Sequence, residues 1–217
     1  MREFVQTRRD PLLLLSLLFL ILLYPVLDRG DLKRMILGGV MFAPLLLATF
    51  KMAQVKSLAW PAILLMASAV VCAALSILFP HATVLGLKWL ILAAFFGLCA
   101  VGLFSYLREA HTISDDHLYT AISIYLLLGL QWFGLYSAFD VLLPGSIHHS
   151  TASIADRHAE LLYFSLITLS TIGYGDVVPV QGEVRMLAAL EGIAGVLHIA
   201  ITVALLVGAY RPRSNST

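Results

Sequence analysis

A run late in the chain, Thr171-Ile172-Gly173-Tyr174-Gly175-Asp176, combines a hydroxyl, two alternate glycines, an aromatic ring and a carboxylate. Glycine enters left-handed and mirror conformations at no steric cost, so Gly173 and Gly175 allow successive carbonyls to turn the same way. A row of main-chain oxygens can replace the water lost by a dehydrated cation without adding net charge. The chemistry to expect here is cation coordination. Elsewhere, Glu191 and His198 stand among apolar residues, where an ionisable group is costly and usually has a partner or lines a cavity. His148, His149, Asp156, His158 and Glu160 bring metal-ligand types together. Adjacent histidines in a loop lack the i, i+4 face of a helical zinc motif, which leaves an intramembrane metalloenzyme as a distant alternative.

Those residues need elements to hold them. Long apolar runs broken by charges or turn residues mark candidate membrane spans. They fall at about 12–27, 35–50, 58–79, 84–107, 118–143 and 183–209. The first two, at about 16 residues, fall short of the ~20 that cross a ~30 Å core as a helix. They either extend into their flanks or form a shallow hairpin. Between 144 and 182 the pattern changes. Pro144 to Asp156 reads as an exposed loop, and His158 to Ser170 as a mostly apolar helix, too short to span and suited to a re-entrant segment. Non-helical backbone at membrane depth survives only where protein or water satisfies it. A short helix, an extended loop and a long helix meet that condition if several copies surround an aqueous path.

The 217 residues are 60% hydrophobic and 12% charged, with a mean hydropathy of +0.91. A soluble domain of this length lacks the interior to hide so much apolar side chain. The expected fold class is an all-α membrane protein with six transmembrane helices and a re-entrant pore helix between the fifth and sixth. A net charge of +1 gives no reason to invoke nucleic acid. Cys72 and Cys99 lie in apolar runs and read as small buried hydrophobes. Arg2, Arg8 and Arg9 precede the first run as in a secretory leader, but Tyr24-Pro25 and Asp28-Arg29 close it without a small-residue cleavage site, so it reads as a retained span. An even number of spans puts both termini on one side. The positive-inside rule places them in the cytoplasm, and a prokaryotic plasma membrane is the expected location.

Set between two spans, Thr171 to Asp176 resembles the selectivity filter of the potassium channel family. The likeness is specific over 118–209; over the first four spans it is only a matching span count. The coordination mechanism is that family's own. By this resemblance, Thr171, Ile172, Gly173, Tyr174 and Gly175 form the ion-binding filter, with carbonyls of the first four holding the permeant K⁺. The Thr171 hydroxyl completes the innermost site. Tyr174 faces away from the pore and braces the loop, and Asp176 sits at the outer mouth, where negative charge concentrates cations. One loop cannot encircle an ion, so the implied partners are three further copies of the chain, in a homotetramer, and membrane lipid.

The resemblance also implies filter support from Tyr163, Phe164, Thr168 and Ser170, the last two by hydrogen bonds around its base. The family often has paired tryptophans where this chain has Tyr163 and Phe164, and some members have a carboxylate where it has Ile167. Both departures point to a less rigid filter, with only Tyr163 able to hydrogen-bond Tyr174. Glu191 is expected behind the filter, bonded to hydroxyls such as that of Thr168 or to backbone amides. Gly195 reads as the family's inner-helix hinge or as a small residue permitting close helix contact. His198 either faces the inner cavity or packs as a hydrogen-bonded core histidine.

A voltage sensor needs several basic residues along one face of a membrane helix. The fourth span holds only Lys88, and the first three contain no acidic counter-charges. At ~2.3 kcal/mol per charge per 100 mV, steep voltage gating is not expected. The expected division is 1–110, a four-helix unit that is voltage-sensor-like in position only, and 111–217, a pore unit with Asp115 capping its first helix. His148, His149 and His158 read as solvated outer-loop residues or as sensors of external pH. No cofactor other than the permeant ion, no cis ligand-binding domain and no enzymatic activity are expected. The expected function is passive K⁺-selective permeation; the alternatives are a non-selective cation channel or a subunit that needs partner chains.

Overall fold

The computed structural model describes residues 9–27, 44, 46–49, 56–79, 81–108, 114–150 and 157–209. Helices α1 (Arg9–Leu27), α2 (Lys56–Leu78), α3 (Ala82–Arg108), α4 (Asp115–Leu142), α5 (Arg157–Leu169) and α6 (Gly182–Ala209) follow in chain order. Strands β1 (Ile147–His148) and β2 (Val178–Pro179) pair antiparallel on either side of α5. Among the described residues the regular structure is helical apart from this short ribbon.

Helices α3, α4 and α6 are long and apolar enough to cross a membrane, with 27, 28 and 27 residues in the qualifying stretches. At ~1.5 Å rise per residue each outspans a ~30 Å hydrocarbon core. The apolar stretches of α1 and α2, Pro11–Val26 and Trp60–Ser76, are shorter. Most of the run expected at 35–50 lies outside the described residues, although 44 and 46–49 are helical. Leu22, Trp60 and Leu78 are each at least 70% exposed, a pattern suited to lipid rather than water. The chain is a membrane protein.

Helix α4 is the hub, because α1, α3, α5 and α6 all pack on it, while α2 packs on α3. In α1 the buried residues Leu13, Leu17, Leu20 and Tyr24 recur at helical spacing and form one stripe. The Tyr24 ring meets Phe133 of α4 edge-on at 5.3 Å, and Trp89 of α3 meets the same ring at 5.2 Å. Fully buried Phe133 is therefore where three helices converge. A methyl group on Gly134 would stand 3.2 Å from the backbone of Ala93, so these small residues set the close approach of α3 and α4.

Two local features differ from expectation. Ser114, not Asp115, caps α4: its backbone is extended, its amide donates to His117 Nδ1 at 3.1 Å, and Asp115 and Asp116 occupy the first turn. Acidic groups there complement the helix dipole without needing the cap position. The stretch from Pro144 is not exposed throughout either. Ser146 and Ile147 are buried, and the Ser146 carbonyl accepts from the Val180 amide at 2.8 Å. A pairing this short leaves no periodicity in the sequence to find it by.

Candidate ion-coordinating loop

Helix α5 ends by handing its last carbonyls to the loop that follows. The Thr171 amide donates to Thr168 O at 3.0 Å and the Ile172 amide to Ile167 O at 2.8 Å, which is the Schellman pattern of helix termination. That pattern places the residue after the cap in the left-handed region, normally a glycine position. Here it is Thr171, with φ of 59°. Gly173 and Gly175 follow with φ of 53° and 82°. Alternate residues are thus left-handed, the conformation expected of the two glycines, and a β-branched residue carries the first at a steric cost. Residues 171–176 are all exposed on the single chain; nothing in the described chain covers the loop.

The outer part of the loop is held from α5. The Tyr163 hydroxyl donates to Asp176 Oδ1 at 3.2 Å, and its ring lies parallel to that of Tyr174 with centroids 6.4 Å apart. Tyr163 thus touches Tyr174 by stacking, while its hydrogen bond goes to Asp176. Phe164 points the other way, buried against Tyr136 of α4 at 4.9 Å. Ser170 does not bond to the base of the loop: its hydroxyl donates to Leu166 O at 2.7 Å within its own helix. Thr168 contributes its backbone carbonyl to the helix cap.

Behind α5, Glu191 is fully buried. Its partners are the hydroxyls of Tyr136 and Ser165, each at 2.6 Å, so the hydroxyl on the short helix is Ser165 rather than Thr168. One turn further along α6, a Cβ on Gly195 would stand 2.0 Å from the backbone oxygen of Leu169. Gly195 thus lies where α5 and α6 approach closely, and α6 continues as helix through it. His198 is 9% exposed, packs its ring against Tyr125 at 5.7 Å and bonds to the Ala121 backbone. It is a packed histidine within the chain.

Of the outer histidines, His148 is exposed and the His158 ring packs at a tilt against Trp89, with centroids 4.9 Å apart. His149 is clamped: Nε2 lies 3.0 Å from Asp140 and Nδ1 3.1 Å from Glu160. The hydroxyl of Ser150 also bonds to Glu160. Among the described residues no group of three or more His, Cys, Asp or Glu could hold a metal ion, and Asp156 lies outside them. Sequence reasoning missed Tyr136, Ser165 and Asp140. The available signal was a polar group inside or at the end of an apolar run.

Known proteins match the region that contains this loop. Residues 120–211 match a family model described as ion channel. Similar stretches occur in a Rhodopseudomonas palustris protein named for a potassium channel, at 43% identity over 24% of this chain and 12% of that protein. Two pore potassium channel b of Oryza sativa subsp. japonica is 38% identical over 33% of this chain and 18% of its own length. Human potassium voltage-gated channel subfamily A member 7 is 32% identical over 37% and 18%. The matched stretches thus span less than a fifth of these curated relatives. No solved structure matches the chain. Residues 120–211 carry an ion-channel domain. The similar stretches lie in proteins named as potassium channels.

Proposed function

We propose that the chain is one subunit of a K⁺-selective channel in which four copies surround a single pore. The alternation of left-handed residues at 171, 173 and 175, on a loop the described residues leave uncovered, carries this reading. Such alternation aims successive carbonyls one way, and a ring of four loops supplies the oxygens that replace hydration. Thr171, Ile172, Gly173 and Tyr174 hold the ions, Gly175 completes the turn, and Asp176, braced by Tyr163, draws cations to the outer mouth. Chain 111–217 is the pore unit and 1–110 a peripheral four-helix unit. Six spans place both termini in the cytoplasm of a cell bounded by the plasma membrane. Lys88 lies over the Trp89 ring at 4.6 Å, and no ladder of basic residues accompanies it in α3, so gating is not steeply voltage-dependent. The protein moves ions passively and is not an enzyme.

The test is ion flux through purified protein in liposomes. K⁺ should pass in strong preference to Na⁺, and Gly173→Ala or Tyr174→Asp should abolish conduction or erase the preference. Equal K⁺ and Na⁺ flux in the wild type would favour a non-selective cation pore, which Phe164 and Ile167 in place of more polar supports would help to explain. Unchanged K⁺ preference in both variants would overturn the assignment of the loop.

A further inference from the structure

The contacts of Glu191 allow its protons to be counted. Its carboxyl stands in a chain of contacts: Tyr136 hydroxyl to Oε2 at 2.6 Å, Oε1 to Ser165 Oγ at 2.6 Å, and Ser165 Oγ to the Gly129 carbonyl at 2.8 Å. A serine hydroxyl has one proton to donate, and so has a tyrosine. If Ser165 gave its proton to an ionised Glu191, its oxygen would face the Gly129 carbonyl oxygen at 2.8 Å with no hydrogen between them. If it gave its proton to Gly129, an ionised Oε1 would face the Ser165 oxygen at 2.6 Å in the same way. Only a carboxyl that carries a proton satisfies every contact. Tyr136 then donates to Oε2, Oε1–H donates to Ser165, and Ser165 donates to Gly129. The site also suits a neutral group: Glu191 is fully buried, and its partners among the described residues include no cation.

We propose that Glu191 is a proton-bearing positioning residue that ties α6, α5 and α4 together directly behind the loop. The relay joins α6 through Glu191, α5 through Ser165, and α4 through both Tyr136 and Gly129. Ser165 lies on the same short helix whose final carbonyls cap the loop. Holding Ser165 therefore holds the start of the loop at Thr171 and Ile172. The residue acts through α5 and touches no ion. This inference rests on the channel reading for its effect on selectivity, but not for its proton count.

The experiment uses the full chain in liposomes, with Glu191→Gln and Glu191→Ala. Glutamine reproduces the protonated carboxyl: its oxygen accepts from Tyr136 and its amide donates to Ser165. Glu191→Gln should keep the K⁺ over Na⁺ preference within about twofold, while Glu191→Ala, which leaves the buried Tyr136 hydroxyl without its acceptor and Ser165 without its tie to α6, should lose about tenfold or more. Infrared difference spectra at neutral pH should show a protonated-carboxyl band in the wild type that is absent in Glu191→Gln. That band does not depend on conduction or on alanine folding. Absence of the band, or loss in Glu191→Gln as deep as in Glu191→Ala, would overturn the proposal. A wild type that shows the band and does not prefer K⁺ would support the proton count and refute the K⁺-selective reading.

Discussion

At the scale of single residues, Thr171 and His149 show side chains placed against their ordinary preferences. Thr171 takes a left-handed conformation that glycine usually fills, because the end of α5 and the start of the loop share that position. His149 has a carboxylate at each ring nitrogen. Two acceptors require two N–H donors, which only the imidazolium has. The hydrogen bond to Asp140, joined by Glu160 and opposed by burial, raises its pKa above the usual ~6.5. A folded-state value above the unfolded one stabilises the protein fully at pH below the ordinary value. The contribution is lost as pH rises through the raised value. The melting temperature of solubilised protein should therefore fall as pH rises above the ordinary imidazole range, and His149→Asn should remove that slope. Parallel profiles for the two proteins would show that the clamp carries no proton-linked stability.

At the scale of elements, α5 and α6 approach each other closely at Gly195. The backbone oxygen of Leu169 occupies the space a side chain on Gly195 would need. Gly195→Ala must push the helices apart or bend one, at a cost of ~1–3 kcal/mol typical of overpacking. The variant should melt below the wild type, and its ion preference should weaken, since Leu169 is the last residue of α5 before the loop. A wild-type melting temperature in Gly195→Ala would mean that the helices are not held at this distance in the membrane. The β1–β2 ribbon works at the other end of the loop, joining the segment after α4 to the residues that follow Asp176.

At the scale of the molecule, one face is left unfinished. Met186, Leu190, Ile193 and Val207 of α6 are all more than half exposed, as are Ile172 and Tyr174 of the loop. Lipid can cover the apolar helix face, but the non-helical loop needs protein or water beside it. In the proposed channel, four copies around an axis would meet both needs. Native mass measurement of detergent-solubilised protein should give four chains per particle. A monomer that still conducts would remove the basis for a shared pore.

What the sequence determined alone is local: the membrane class from the length of apolar runs, a short helix followed by a loop and a long helix, and the left-handed glycines Gly173 and Gly175. Run length and the freedom of glycine are properties of neighbouring residues, so they can be read in order along the chain. The partners of Glu191 lie 55 and 26 residues away at Tyr136 and Ser165. Helices this apolar show no distinct buried face in their sequence, so which side of α6 meets α4 and α5 is decided only when they pack. That packing placed Ser165 rather than Thr168 against Glu191, turned Gly195 onto Leu169, and closed two carboxylates around His149.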